Sequence, residues 1–209
     1  MLARWRELCD ELAQHRVRLL AVSKYVPDEA VACLIGAGQR QFGESRPQSL
    51  RDRATQWPDC DWHMIGPLQA NKAKYIGRHA ACWHSVEDID TARKVAAQVE
   101  GRRLPVLIQV NAAGNPGQHG VAPDAAVIEA LATELAGLPQ LELCGLMTMG
   151  PPEGDPRPAF RRLARLREEL FGGSLAELCM GMSDDYRVAV EEGATMVRLG
   201  STLFGPWNR

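Results

Sequence analysis

The sequence predicts an α/β protein folded as a single closed (β/α)8 barrel, and three observations carry that prediction. About eight short apolar runs recur along the 209 residues. The segments between them carry the 3.6-residue spacing of amphipathic helices. Most of the runs are too continuously apolar for a sheet with one wet face, so burial on both faces is implied. Strands alternating with helices argue for a parallel sheet. The rival architecture is an open doubly wound sheet, but no GxGxxG turn follows the first strand. The chain also stops soon after the eighth run, leaving little room for a final helix.

Taken in order, the N-terminal segment places Leu2, Trp5, Leu8 and Leu12 on one helical face. A helix within residues 1–17 is expected to cover the barrel flank that the short C-terminus leaves bare. The first strand is LLAVS (19–23), and Pro27-Asp28 starts the next helix. RQFGE (40–44) and WHMIG (62–66) are the second and third strands, and Asn71-Lys72 begins a helix. CWHSV (82–86) follows, then a helix patterned by Val86, Ile89, Ala92, Val95, Ala96 and Val99. PVLIQVN (105–111) is the fifth strand, and Pro123-Asp124 caps a helix carrying Val127, Ile128, Leu131 and Leu135. LELCGLM (141–147) is the sixth. The loosest connection is GPPEGDPRP (150–158). Phe160, Leu163, Leu166 and Leu170 mark the next helix, whose opposite face is rich in arginine and glutamate and reads as solvated. AELCMG (176–181) and TMVRLG (195–200) close the set, separated by a helix that Ser183-Asp184-Asp185 is expected to cap. One domain over 1–209 is expected.

Composition narrows the function classes. Hydrophobic residues make 45% and charged residues 24%, as in ordinary globular proteins, and the net charge is −2. No nucleic-acid or anionic-membrane partner is advertised. No apolar stretch approaches the ~20 residues that span a bilayer, and the N-terminus lacks a signal-peptide core. The six cysteines are scattered without a CxxC pair, which suggests neither a zinc site nor a disulfide framework. A reducing cytoplasm is the expected compartment. His15, His79, His84 and His119 show no metal-ligand spacing.

In such a barrel the active site lies at the C-terminal ends of the strands. Lys24 stands there, at the end of an otherwise apolar first strand. In a partly dry mouth its ammonium would be disfavoured, leaving an amine usable as a nucleophile toward an aldehyde; the bland alternative is a lysine snorkelling to solvent. MGMSDD (180–185) and VRLGSTLFG (197–205) each place small residues after a strand, where phosphate sites of these barrels are often built. Arg198 shares a strand face with Gly200; its bland reading is a structural ion pair. His63, near a strand end, reads by itself as structural, and Asn111 is a candidate polar residue of the mouth. An amine facing a phosphate seat suggests pyridoxal 5'-phosphate. A cofactor-free Schiff-base aldolase would use the same two parts, so both readings stand at this point.

The segments LLAVSK, GQRQFGES, WHMIGPLQANK, GLMTMG and MGMSDDYRVAVEEGATMVRLGSTLFG, in that order, closely resemble the pyridoxal phosphate homeostasis protein family. These are single-domain barrels related to the N-terminal domain of alanine racemase, and the resemblance runs from about Leu19 to Gly205. It implies a TIM barrel binding pyridoxal phosphate as a Schiff base on Lys24, with phosphate ligands at Ser183, Gly200 and Ser201. It places Arg198 against the pyridine nitrogen. An arginine stays charged and cannot accept a proton there, so the electron sink is weak and suits storage or delivery. Ser45, His63 and Met182 complete the expected cofactor-binding set, with no catalytic residue and no metal ligand. Three positions depart from the family pattern: Ser45 for the usual asparagine, Gln118 for a lysine, and Tyr25 for a small residue. Racemases take a second base, a tyrosine, from a C-terminal domain that this chain does not show; Tyr25 and Tyr186 are the nearest candidates by motif position. The expectation is a monomeric vitamin B6 homeostasis protein without turnover, serving recipient apo-enzymes. The alternatives are a weak single-domain racemase and the aldolase.

Overall fold

The computed structural model describes residues 1–205; the last four residues of the expected 1–209 domain lie outside the described ones. The chain runs α1 (Leu2–Gln14), β1 (Arg18–Val22), α2 (Asp28–Ala37), β2 (Gln41–Glu44), α3 (Pro47–Gln56), β3 (Asp61–Met64), a 3-10 turn (Ala70–Lys72), α4 (Ala73–His79), β4 (Cys82–Val86), α5 (Ile89–Ala96), β5 (Leu104–Gln109), α6 (Ala125–Ala136), β6 (Leu141–Met147), α7 (Arg157–Phe171), β7 (Glu177–Cys179), α8 (Tyr186–Glu191), β8 (Met196–Leu199) and α9 (Ser201–Phe204). Every expected strand is present. The eight strands form a closed parallel barrel in sequence order, sealed by β1 against β8. That seam pairs Leu19 with Val197 and Leu20 with Arg198.

Closure divides the apolar residues into two cores, because alternate side chains of a strand point to opposite faces. Leu19 and Ala21 join the large outer core packed under the helices, together with Phe42, Trp62, Ile108 and Phe160. Leu20 points the other way, into an inner cluster with Cys82, Leu107, Met147, Cys179 and Met196. Both faces of the strands are thus buried, which is why the runs read as continuous.

The N-terminal helix packs where expected. Leu8 and Leu12 of α1 are fully buried, and the Trp5 indole donates to Gln39 Oε1 at 2.9 Å. Glu11 reaches α8, accepting from the Tyr186 hydroxyl at 3.1 Å and from Arg187 Nε at 2.8 Å. Helix α9 has only four residues, and α1 lies on that side of the barrel, beside β1 and α8. Asp124 caps α6, accepting from Ala126 N at 2.9 Å. Asp88, unforeseen, caps α5 through Thr91 N at 2.7 Å. The expected cap of α8 is corrected. Asp185 holds the N-cap position without a side-chain bond to its own helix. Its carboxylate accepts instead from Met182 N in the preceding turn. Among the described residues no helix is long and apolar enough to cross a membrane.

The charged face of α7 is more than a solvated surface. Arg161 grips Glu192 through Nε and Nη2, both at 2.9 Å, and Arg157 reaches the same carboxylate and that of Glu191. The two guanidiniums hold the Glu192 carboxyl down to about 2 from an ordinary 4.5. A depressed carboxyl contributes stability that is fully present above the unfolded value and lost as pH falls through the folded one. The contribution of Glu192 is therefore expected to fade between pH 4.5 and about 2. Urea unfolding midpoints measured across that range should flatten in Glu192→Gln relative to the parent chain.

Candidate functional site

At the C-terminal end of the barrel a cavity of about 350 Å³ is lined by Lys24, Ser45, Met182, Ser183, Arg198, Gly200 and Ser201. These are seven of the eight expected cofactor-binding residues. Its remaining wall includes Ile65, Gly66, Gln109, His119, Met149 and Asp184. None of those was expected from sequence to contact a cofactor. The only signal available was their position just after a strand, or in a connecting loop, at the end where such barrels act.

Lys24 sits in a tight turn just beyond β1, which ends at Val22 rather than at the lysine. Val26 N bonds to Ser23 O at 3.0 Å, and Tyr25 between them takes a positive φ of 65°. Glycine is the usual residue at such a position. Tyr25 is held there by its surroundings: Arg46 stacks 5.1 Å from its ring. The turn is braced from below by Arg53, whose guanidinium donates to Ser23 O at 2.9 Å and to Val26 O, one on each side of Lys24. The same guanidinium pairs with buried Glu44 at 2.7 Å, and Ser23 Oγ donates to that carboxylate at 2.6 Å. Burial pushes the Glu44 carboxyl up, opposed by Ser23 and Arg53. This network fixes the backbone of the turn while the Lys24 side chain remains exposed. The dry environment expected around its ammonium is therefore corrected: the lysine stands at the rim of the cavity, in reach of water.

Across the cavity, the turns after β7 and β8 are joined. Ser183 Oγ accepts from Thr202 N at 3.1 Å, and Thr202 Oγ1 donates to Ser183 O at 3.2 Å. Ser183 thus links two turns rather than capping α8. The first turn needs Gly181, whose φ is +94° and whose added Cβ would fall 2.6 Å from Ala189 Cβ on α8. On the third side, a Cβ at Gly66 would lie 2.3 Å from Ser45 O, so glycine lets the segment just after β3 approach the Ser45 backbone. The result is a rim of small residues with backbone and hydroxyl groups turned toward one another.

Arg198 closes the floor, only 4% exposed. Its guanidinium donates to Thr148 O at 2.9 Å and to Cys179 O at 3.1 Å. These are carbonyls, so the bland expectation of a structural ion pair gives way to a cation positioned by backbone acceptors.

Two expected residues lie elsewhere. His63 does not line the cavity; it is buried inside the barrel, with Nδ1 at 2.8 Å from His84 Nε2. Desolvation holds it down to about 3, so it is neutral at ordinary pH. Asn111 does not line it either. Its amide donates to Asn115 O at 2.8 Å and Gln118 O at 3.2 Å, so it organises the loop after β5. Gln118 in turn donates to Met149 O at 3.2 Å, which ties that loop to the cavity wall.

The Arg53 brace can be tested by removing it. Arg53→Ala leaves Glu44 buried without its cation, a change expected to cost about 3 kcal/mol. Equilibrium urea unfolding measures it, and Arg53→Ala combined with Glu44→Gln should recover part of the loss.

Comparisons with known proteins place the chain in a family. The family model described as "Alanine racemase, N-terminal domain" matches residues 1–207. Among curated relatives, the pyridoxal phosphate homeostasis protein of Aquifex aeolicus is 36% identical, with 98% of this chain and 94% of the relative covered. That of Pseudomonas aeruginosa is 40% identical over 90% of this chain and 84% of its own length. Among solved structures, PipY of Synechococcus elongatus PCC7942 was determined without and with PLP bound. It is 34% identical and superposes with TM-scores of 0.88 and 0.85, covering 98% of this chain and 99% of its own. An alanine racemase of Clostridium difficile shares the fold at 15% identity and a TM-score of 0.76, with 55% of its chain matched. With a family model matched along almost its whole length, relatives this similar and a lysine-bearing barrel mouth of the expected build, the chain belongs to the pyridoxal phosphate homeostasis protein family.

Proposed function

We propose that this protein binds pyridoxal 5'-phosphate at the barrel mouth and serves intracellular vitamin B6 homeostasis without catalytic turnover. The single observation that carries the reading is that Lys24 and the Ser183–Gly200–Ser201 rim line one cavity of about 350 Å³. A cavity of that size suits a small planar ring, with an aldehyde toward Lys24 and a phosphate toward the serine and glycine turns. The donor set fits: an amine for the aldehyde, hydroxyls and backbone N–H groups for the phosphate, and Arg198 for the ring nitrogen. When bound, the cofactor supplies a reactive aldehyde conjugated to an electron-withdrawing ring.

This chain's own residues favour holding over transforming. Arg198 is a permanent cation and cannot accept a proton, so if it stands against the ring nitrogen it would not hold that nitrogen protonated. Neither tyrosine considered as a second base lines the cavity. The Tyr186 hydroxyl is spent on Glu11 at 3.1 Å, and Tyr25 is 62% exposed against Arg46. The exposure of Lys24 and Tyr25, with Met182 38% exposed on the opposite lip, leaves the mouth reachable by an incoming amine. Transfer to recipient apo-enzymes is the delivery step this openness suits. The six free cysteines support a reducing, cytoplasmic setting, and the family resemblance is the support for a monomer.

Borohydride reduction of the protein loaded with pyridoxal phosphate, followed by peptide mass spectrometry, tests the reading. The pyridoxyl mass is expected on Lys24 and absent from Lys24→Ala, whose far-UV circular dichroism should match the parent. An undiminished adduct in that variant removes Lys24 from the role. Deuterium exchange at the α-carbon of amino acids with repeated turnover would replace the binding reading by the racemase one. An adduct formed only by phosphorylated aldol substrates would favour the aldolase.

A further inference from the structure

A second constellation lies inside the barrel, apart from the mouth. Cys82 and His84 are two residues apart on β4 and so share one face. His63 on β3 is the register partner of Cys82. One donor atom from each of the three lies within 4.8 Å of the others, and all three residues are buried. Two neutral imidazoles and a thiol are an unusual filling for a barrel interior, which apolar side chains normally occupy. The filling is also imperfect. His84 Nδ1 is buried with no hydrogen-bond partner among the described residues. The ring turns its other nitrogen, Nε2, to His63 Nδ1 at 2.8 Å; a buried imidazole with one nitrogen unpartnered, in a cluster that also holds a second imidazole and a thiol, is what a soft-metal site looks like before loading.

We propose that His63, Cys82 and His84 form a binding site for a soft monovalent d10 cation, copper(I), inside the barrel. Two features favour a monovalent ion over zinc(II). The set offers three donors and no carboxylate, which suits trigonal coordination rather than a closed tetrahedral zinc site. Charge decides the same way. On binding, Cys82 gives its thiol proton to solvent and its sulfur bonds to the metal, while both histidines stay neutral. One proton leaves and one copper(I) enters, so the charge inside the barrel does not change. Zinc(II) would leave an extra positive charge where Arg18 and Arg198 already act on these histidines. Burying an uncompensated charge is costly. Arg18 pairs with Glu177 at the N-terminal end of the barrel, away from Lys24.

Anaerobic titration with copper(I) against a chromophoric copper(I) chelator tests this on the full chain. One equivalent is expected to be withdrawn from the chelator by the parent protein, and equally by Lys24→Ala and by Cys33→Ser, which removes an exposed thiol. Cys82→Ala and His84→Phe should each weaken binding by more than the about 10–100-fold typical of losing a supporting partner. Far-UV circular dichroism and retained pyridoxal phosphate adduct formation report whether these variants fold. X-ray absorption of the copper-loaded parent needs no variant: a shell of one sulfur and two nitrogens is expected. A sulfur-only shell, uptake undiminished in Cys82→Ala, no uptake at all, or zinc(II) held more tightly than copper(I) would overturn the site. Because Lys24→Ala is an arm of the titration, failure here leaves the cofactor reading standing, and the converse holds.

Discussion

The pairing of β1 with β8 is the constraint on which the rest of this molecule depends. It joins the first strand of the barrel to the last, 178 positions apart at the Leu19–Val197 partners and again at Leu20–Arg198. Without that seam the Lys24 turn and the Gly200–Ser201 turn would lie at opposite edges of an open sheet. With it they face each other across one cavity, and Arg198, the partner of Leu20, becomes its floor. Parallel closure also removes both sheet edges, so no row of backbone donors is left to pair with another chain. The energetic weight falls on the outer core, where the barrel strands and the helices bury nearly all of their large apolar side chains.

The mouth is built from two kinds of support. On the Lys24 side the support is electrostatic: Arg53 braces the two backbone carbonyls flanking the lysine and is itself neutralised by Glu44. On the opposite side it is steric and local: Gly181 allows a left-handed turn against α8, and Ser183 and Thr202 bond the two turns together. The contrast suits the chemistry proposed. A side chain that forms a reversible covalent link needs a fixed root and a tip exposed to its reaction partner. A phosphate needs several weak donors held in one place. The positive φ of Tyr25 is the strain that this fixed root imposes on a residue other than glycine.

The barrel interior below the mouth is chemically different from the mouth itself. Leu20, Leu107 and Met147 fill part of it with apolar bulk, but His63, Cys82 and His84 occupy the rest. A wholly apolar filling would serve stability better than a pair of imidazoles with an unsatisfied nitrogen. The polar interior is the setting of the proposed copper(I) site, and none of its three residues lines the Lys24 cavity.

By itself the sequence determined the order of elements, the barrel, and most of the mouth. The element order and the barrel rest on local patterns, apolar runs of strand length and helical spacing between them; the mouth rests on small residues after the last two strands and on motifs shared with the family, which added Ser45 and Met182. Such signals are carried by neighbours in the chain, so they can be read without coordinates. What only the tertiary structure decided rests on contacts between distant strands. The exposure of Lys24, the Arg53–Glu44 brace, the diversion of Asp185 to Met182 and the place of His63 beneath the cavity all belong here. So does the meeting of His63 with Cys82 and His84, invisible as a spacing because it crosses from β3 to β4. A side chain's solvent exposure and its partners are set by strand register and barrel closure. Those are properties of the whole packed sheet, and no single segment contains them.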